Sequence, residues 1–174
     1  MTVYQPGEDS FLLQEYLEGL ELEGKKCLEI GTGSGILAVT MAAKGADVAA
    51  VDINPEAVEA VKERAAEAGL DVDAFQSDLF DEVDGRFDLV VFNPPYLPGE
   101  KGVGDEEIWR GGEKGTELTR NFLDAVDNYL EDNGFAIVVI SLHADKDELV
   151  EEYGLEVLDE RKVWFETLFL ARYK

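Results

Sequence analysis

An Asn-Pro-Pro-Tyr segment follows a strongly apolar stretch of the chain, and its residue types suit hydrogen bonding to a planar NH2 group. Two consecutive prolines remove two backbone donors, so the carbonyl groups of Asn93 and Pro94 stay free to accept hydrogen bonds. An NH2 group could donate one hydrogen to the Asn93 side-chain oxygen and the other to the Pro94 carbonyl. These two hydrogen bonds would favour a pyramidal nitrogen, whose lone pair is available for attack. The Tyr96 ring could stack on a flat amide or base. The candidate catalytic residues are therefore Asn93, Pro94, Pro95 and Tyr96, with a plain strand-ending turn as the alternative.

A glycine turn and an acid after two earlier strand-like stretches indicate a nucleotide-type site. Gly31, Gly33 and Gly35 lie between a strand pattern and a helix pattern, where the missing side chains let the backbone pass close to a ligand. Dinucleotide-binding enzymes place G-x-G-x-x-G here, whereas in this chain the third glycine comes one residue early. Asp52 ends the next strand-like run, from which a carboxylate can accept from both hydroxyls of a ribose.

Further acids lie at or near the ends of neighbouring strand patterns. Glu29 is an acid inside an apolar run and needs a partner, which the amino group or ribose of a cofactor could supply. Asp78 follows the third strand pattern, where it could accept from an adenine amino group while the Leu79 N–H reaches a ring nitrogen. For Asp52 the alternative is an acid at a helix N-terminus, and for Asp78 it is a plain turn acid. The three acids are predicted to converge at one edge of a sheet.

Strand and helix patterns alternate along the chain, which is typical of an open, mainly parallel α/β sheet. Residues 97–115 show no periodicity and are predicted to form a functional loop. Strands are predicted over residues 27–30, 48–52, 72–76, 87–92, 135–140, 155–158 and 163–170. Helices are predicted over residues 11–20, 36–44, 55–68, 116–130 and 145–151.

The composition indicates one domain over residues 1–174 with a strongly acidic surface. The chain has 39 acidic and 15 basic side chains, a net charge of −24, and the acids are spread along its whole length. Counterions screen such repulsion, so the charge favours a halophilic protein. The same charge disfavours direct binding of nucleic acids, whose phosphates it would repel.

The single cysteine and the single histidine predict no metal site and no hydrolytic site. Cys27 lies in a strand pattern and is predicted to be a core residue, and His143 is predicted to be a loop residue without a nucleophile elbow nearby. One cysteine cannot form an internal disulfide, and no run of about 18 apolar residues occurs. A cytoplasmic, non-membrane protein is expected.

These motifs together resemble those of the class I methyltransferases. Within that family the chain is similar to the HemK-like branch that methylates glutamine in release factors. The narrower likeness rests on residues 3–13, which resemble the entry segment of the archaeal and eukaryotic enzymes, and on residues 109–115. The wider likeness rests on residues 29–35, Asp52, Asp78, Leu79 and residues 93–96.

The resemblance implies a Rossmann-like fold, with a seven-stranded, mainly parallel sheet, an antiparallel last strand and helices on both faces. It implies S-adenosylmethionine as cofactor, S-adenosylhomocysteine as product, and the glutamine of a Gly-Gly-Gln loop as acceptor. It also implies a small zinc-binding activator protein as the second subunit of a heterodimer. The candidate cofactor contacts are Ser10, Glu29, Gly31, Gly33, Asp52, Asp78, Leu79 and Asn93.

Other readings of the same residues stay open. A flipped adenine presents the same planar NH2 group, so a DNA or RNA base methyltransferase is the main alternative. Lysine methylation is a further alternative within the resembled branch. A catalytically silent scaffold is disfavoured by the intact Asn-Pro-Pro-Tyr segment, and a nicotinamide oxidoreductase is disfavoured by the glycine spacing.

Overall fold

The computed structural model describes residues 3–95, 116–142, 145–163 and 166–174. Five α-helices in these ranges, named α1 to α5 in chain order, are Glu8–Glu18, Ile36–Ala43, Pro55–Ala68, Glu117–Val126 and Lys146–Tyr153. Seven strands, named β1 to β7, are Lys26–Ile30, Asp47–Asp52, Asp73–Gln76, Phe87–Phe92, Leu130–Ser141, Glu156–Val163 and Glu166–Tyr173. None of the described helices has the length and apolar character needed to cross a bilayer.

The seven strands form one sheet in the order β3-β2-β1-β4-β5-β7-β6. Strands β1 to β5 pair in parallel, whereas β7 runs antiparallel to both β5 and β6. The predicted fold class, a mainly parallel seven-stranded sheet with a reversed last strand, is therefore confirmed.

Apolar side chains on both faces of the central strands bury them beneath the helices. In β4 five of the six residues are buried, as a strand covered on both faces requires. One core cluster contains Leu13, Met41 and Val61 from helices α1, α2 and α3, and the other contains Phe122 and Leu149 from α4 and α5. The helices thus pack against both faces of the sheet, and this packing positions the strand ends.

The boundaries of α3 follow from its sequence. Asn54 caps the helix, with its side-chain oxygen accepting from the Glu56 N–H at 3.0 Å, and Pro55 opens the first turn. Gly69 ends the helix in the left-handed conformation at a φ of 68°. Asp52 is the last residue of β2 and lies two residues before the cap of α3, so the strand before it and the helix after it together position Asp52.

Several predicted boundaries were wrong. Helix α1 begins at Glu8, three residues before the predicted start, so its first turn reaches the edge of the sheet. Helix α4 ends at Val126 and a short 3-10 helix follows it, so the predicted helix over residues 116–130 is too long. Strand β5 begins at Leu130, five residues early, because Leu130 pairs with Phe87 in β4.

The parallel strands end at one edge of the sheet. Ile30 at the end of β1 lies opposite Val51 in β2 and Phe92 at the end of β4, and Asp52 lies opposite Gln76 at the end of β3. In an open α/β sheet, ligands bind in the crevice outside these carboxyl ends. The residues that follow the strands at this edge are therefore brought together.

Candidate active site

The glycine turn and Asp52 are joined by a direct hydrogen bond. The backbone N–H of Gly33 donates to Asp52 Oδ2 at 2.9 Å, and the N–H of Asn54 donates to Oδ1 at 2.8 Å. Each carboxylate oxygen keeps a second lone pair, so Asp52 can still accept from two ligand hydroxyls. Burial raises the pKa of Asp52, while the N–H groups of Asn54 and Gly33 act to lower it.

The glycine turn also lets two helices approach closely. Gly35 has a φ of 75°, and a methyl group there would lie 2.8 Å from Val61 Cγ2 and 3.0 Å from Val61 Cα in α3. Only glycine fits both the backbone conformation and the space. The Arg64 side chain donates to the Ser34 carbonyl at 2.7 Å, which ties the turn to α3.

Glu29 is buried beneath the glycine turn and has partners within the chain itself. Its Oε2 accepts from the Thr32 hydroxyl at 2.7 Å and from the Ala38 N–H at 2.8 Å, in the first turn of α2. The partner that a buried acid requires is therefore supplied within the chain, and contact between Glu29 and a cofactor stays a prediction. Burial raises the pKa of Glu29 to about 8, and the hydrogen bonds from Thr32 and Ala38 oppose that rise.

The raised pKa of Glu29 predicts a pH-dependent stability. Because the folded protein binds this proton more tightly than the unfolded chain, whose pKa is near 4.5, the folded state is favoured at low pH. That contribution is lost as the pH rises through about 8. Glu29→Gln has no such proton to lose, so its stability lacks this pH dependence. The melting temperature of Glu29→Gln minus that of wild type is therefore expected to increase steadily between about pH 5 and 8.5.

The measurement is a series of thermal melts without cofactor at constant salt. Exposed Glu63→Gln, on α3, is the matched control, because it removes one negative charge without the burial. A constant difference between Glu29→Gln and wild type across this pH range would contradict the prediction.

The turn after β3 contains a strained residue. Leu79 is a non-glycine residue with a φ of 46°, a conformation that costs about 1–2 kcal/mol. The buried Ser77 hydroxyl stabilises the turn by donating to the Leu79 carbonyl at 3.1 Å and accepting from the Glu82 N–H at 3.1 Å. The exposed Asp78 lies between them at the same edge as Asp52. Strain of this kind clusters at ligand sites, which fits the predicted roles of Asp78 and Leu79.

Asn93 directly follows β4 and is held by an acid from the first helix. Its Nδ2 donates to Asp9 Oδ2 at 2.7 Å. Its Oδ1 is buried and has no hydrogen-bond partner in the part of the chain that the structure describes. Pro94 is buried and Pro95 is half-buried behind it. A buried carbonyl oxygen without a donor is costly, so this atom indicates a place where a ligand donor belongs.

Asp9 and Tyr4 were not predicted as site residues. Both lie within residues 3–13, and the Tyr4 hydroxyl contacts both Asp9 oxygens at 2.9 Å. A methyl group at Gly33 would lie 3.4 Å from Tyr4 Cβ, so Tyr4 also covers the glycine turn. The predicted Ser10 is buried next to Asp9 in α1. One sequence feature could have identified Asp9: it is an acid in the first turn of a helix, on the face whose other residues, such as Leu13 and Leu17, are apolar and buried.

Some predictions lie outside the described residues. Tyr96, His143 and the loop over residues 97–115 are among them. Cys27 is fully buried in the core, and burial raises its pKa to about 12, so it is a neutral thiol at pH 7 rather than a nucleophile. Among the described residues, no group of three or more histidine, cysteine or acidic side chains could hold a metal ion.

The comparison with known families decides the assignment. The profile of the methyltransferase small domain matches residues 8–160. The chain belongs to this methyltransferase family. A Methanocaldococcus jannaschii protein assigned as a protein N5-glutamine methyltransferase is 36% identical to this methyltransferase, over 97% of the present chain and 89% of its own. Human methyltransferase HEMK2 is 34% identical, over 86% of this chain and 76% of its own.

A solved structure extends the similarity to three dimensions. In the E. cuniculi Mtq2–Trm112 complex, described as responsible for methylation of the eRF1 translation termination factor, one chain superposes with a TM-score of 0.79 at 29% identity. The match covers 99% of this methyltransferase and 98% of that chain.

Proposed function

We propose that this methyltransferase uses S-adenosylmethionine to methylate the glutamine side-chain amide in the Gly-Gly-Gln loop of a peptide chain release factor. The single observation that carries the proposal is the buried Asn93 Oδ1, which has no donor among the residues that the structure describes. It lies at the edge of the sheet that also holds Asp52. The similarity to a protein N5-glutamine methyltransferase supports glutamine as the acceptor. The similarity to the Mtq2–Trm112 complex, described as responsible for methylation of eRF1, supports a release factor as the substrate.

The residues at the strand ends fit S-adenosylmethionine. Asp52 has lone pairs left for the ribose hydroxyls, and Asp78 with the Leu79 N–H suits the adenine edge. Gly31 and Gly33 offer backbone close to the ligand, and Ser10, Glu29 and Asn93 complete the proposed set of cofactor contacts. When bound, the cofactor would supply a methyl group carried on a positively charged sulfur. The nitrogen lone pair would bond to the methyl carbon as the carbon–sulfur bond breaks, S-adenosylhomocysteine would leave, and the nitrogen would release one proton to water.

Asn93 is proposed to make the acceptor nitrogen reactive. The lone pair of a primary amide is delocalised into its carbonyl group, so the free nitrogen is a poor nucleophile. Hydrogen bonds from the amide NH2 to Asn93 Oδ1 and to the Pro94 carbonyl would orient the nitrogen and favour its pyramidal form. Because Pro95 and Tyr96 follow directly, the same segment would also hold the plane of the amide. Positioning and hydrogen bonding then provide the catalysis.

The proposed function is tested by asking which polymer gains methyl groups. The purified chain, with and without a Trm112-like partner, is incubated with isotope-labelled S-adenosylmethionine and either a release factor or duplex and single-stranded DNA. We expect label on the release factor, and peptide mass spectrometry should locate it on the Gly-Gly-Gln glutamine.

A release factor with that glutamine replaced by alanine is the matched control and should stay unlabelled. Label on adenine in DNA would replace the proposal with base methylation, and label on lysine would replace it with protein lysine methylation. Either result would overturn glutamine as the acceptor.

We also propose a small zinc-binding activator subunit of the Trm112 type, docked on the β3 edge of the sheet. Among the described strands, β3 has a neighbour on one side only, so its outer backbone groups can pair with a strand of another chain. Phe75 is half-buried there and lines an open cavity of about 450 Å³ together with Val83 and Phe87. Mtq2, to which this chain is similar, was solved with Trm112 as its partner.

The docking proposal predicts that Phe75→Glu breaks the heterodimer. A buried unpaired carboxylate in the interface would cost several kcal/mol, enough to lower the affinity by a factor of about 100 or more. Co-expression with the partner and size-exclusion chromatography would measure the loss. Val157→Glu is the matched control, because Val157 is 40% exposed on β6 at the opposite edge of the sheet. Loss of the complex in both variants, or in neither, would contradict docking on β3.

The net charge of −24 leads us to propose salt adaptation. Counterions screen repulsion between the exposed acids, so the melting temperature is expected to rise steeply with potassium chloride. A sucrose series of equal osmolality separates screening from water activity and should raise the melting temperature less. A flat response to potassium chloride would mean that the acidic surface serves another purpose.

A further inference from the structure

The amide of Asn93 has its two ends in different environments. The NH2 end donates to Asp9 Oδ2 at 2.7 Å, whereas Oδ1 has no partner among the described residues. An asparagine amide can turn over about its last side-chain bond, and this exchanges the oxygen and the nitrogen. Which end points into the site therefore depends on what holds the other end.

Asp9 determines that orientation through its chemistry. An ionised carboxylate only accepts hydrogen bonds, so the Asn93 amide can bond to it through the NH2 group alone. Asp9 is 3% exposed and belongs to the first turn of α1, whose N-terminus favours a negative charge. Turning the amide over would bring its oxygen against the carboxylate, which is repulsive. The buried negative charge also polarises the amide and makes Oδ1 a stronger acceptor.

Tyr4 in turn holds Asp9, and Gly7 leaves the space for that contact. The Tyr4 hydroxyl lies 2.9 Å from both Asp9 oxygens, so it fixes the plane of the carboxylate. A methyl group at Gly7 would lie 2.7 Å from Asp9 Oδ1 and 3.1 Å from the Tyr4 hydroxyl oxygen, so the backbone at Gly7 leaves room for this contact. The Tyr4 hydroxyl and Asn93 Nδ2 are thus both directed at the Asp9 carboxylate, which has little freedom to rotate.

We propose that Asp9, held by Tyr4, is a positioning residue that keeps the Asn93 amide in the one orientation with Oδ1 directed at the acceptor nitrogen. The inference rests on the proposed function for its catalytic consequence, but not for the orientation itself. A reversed amide would present an NH2 group to the acceptor NH2 group, two donors facing each other. The acceptor would then lose the hydrogen bond that orients it.

The orientation is tested without any substrate or cofactor. In ¹⁵N-labelled full-length chain, the Asn93 side-chain NH2 signals are assigned by their disappearance in Asn93→Ala, and their exchange with solvent is measured. We expect Asp9→Leu to speed that exchange at least about 10-fold, with a smaller effect in the shape-conserving Asp9→Asn. Glu8→Gln, which neutralises the neighbouring exposed acid, is the matched control and should leave the exchange rate as in wild type. Unchanged exchange in both Asp9 variants would overturn the inference.

The catalytic consequence is tested by a double-mutant cycle on the enzyme with release factor. Asp9→Leu is expected to lower kcat by about 10- to 100-fold, and Tyr4→Phe by less, with the Kd for S-adenosylmethionine within about twofold of wild type. Because Asp9 acts through Asn93, adding Asp9→Leu to Asn93→Ala should cause no further loss.

Additive losses, or a loss confined to cofactor affinity, would overturn the positioning role. If the wild-type chain methylates no release factor, the proposed function fails while the exchange experiment still decides the orientation of the amide. If Asp9→Leu does not fold, Asp9→Asn and Tyr4→Phe supply both measurements.

Discussion

Replacing Asn93 with alanine is expected to lower the rate of methyl transfer by about 100-fold or more, the usual effect of removing one preorganised hydrogen-bonding group at a reacting centre. The variant loses the Oδ1 acceptor and leaves Asp9 with the Tyr4 hydroxyl as its remaining side-chain donor among the described residues. Folding should change little, because Asn93 follows the strand whose apolar residues form the core. The free energy of unfolding should fall by only about 1 kcal/mol.

Single-turnover rates with labelled cofactor and release factor would measure the first effect, and chemical denaturation the second. Asn128→Ala is the matched control, because Asn128 is exposed in the short 3-10 helix that leads into the start of β5, away from the carboxyl ends of the strands. Equal turnover in Asn93→Ala and wild type would contradict the proposed role of Asn93 in catalysis. A turnover loss matched by an equal loss of folded protein would assign Asn93 a structural role instead.

Replacing Asp52 with alanine should weaken S-adenosylmethionine binding by about 1.5–3 kcal/mol, or roughly 10- to 150-fold in Kd. Two effects contribute to this loss. The variant removes the carboxylate proposed to accept from the ribose, and it also frees the Gly33 N–H that holds the glycine turn against β2. Titration calorimetry measures the affinity directly.

Two variants separate these contributions. Asp52→Asn keeps one oxygen that can accept from the Gly33 N–H, so it should lie between wild type and alanine. Asp47→Ala removes an exposed acid at the start of the same strand, at the far end from the site, and should leave the affinity unchanged. An unchanged Kd in Asp52→Ala would exclude this residue from the cofactor site.

Much of the fold follows from local sequence patterns. Strand β4 was predicted from its apolar run alone, and its boundaries, Phe87–Phe92, agree with the structure. Helix α3 was predicted over residues 55–68 because Pro55 suits a first turn, and its bounds, Pro55–Ala68, agree with the structure. Since parallel strands end at a common edge, the order of the patterns also predicted that Glu29, Asp52 and Asp78 would converge there. The hydrogen bond between the Gly33 N–H and Asp52 at that edge was not predicted and comes from the structure.

Boundaries were missed where tertiary pairing overrides the local pattern. Residues 127–130 continue the helical spacing of α4, but Leu130 is buried as the first residue of β5, opposite Phe87. The pattern of β6 was read only as residues 155–158, because the strand continues into the charged residues Asp159–Lys162, which are stabilised by pairing with β7. Backbone hydrogen bonds to a neighbouring strand are available to charged residues as well as apolar ones, so hydrophobic periodicity does not detect them.

What the sequence determined by itself is the class of fold, the strand ends and the residue types that stand there, because these depend on periodicity and on neighbours along the chain. Only the tertiary structure decided which side chains complete the site. Asp9 and Asn93 are 84 residues apart and meet because α1 packs with its first turn over the end of β4. Glu29 in β1 likewise accepts hydrogen bonds from Thr32 and Ala38, because the glycine turn and the start of α2 lie over the end of β1. The direction of a buried hydrogen bond depends on packing across the sheet, and no local pattern in the sequence specifies it.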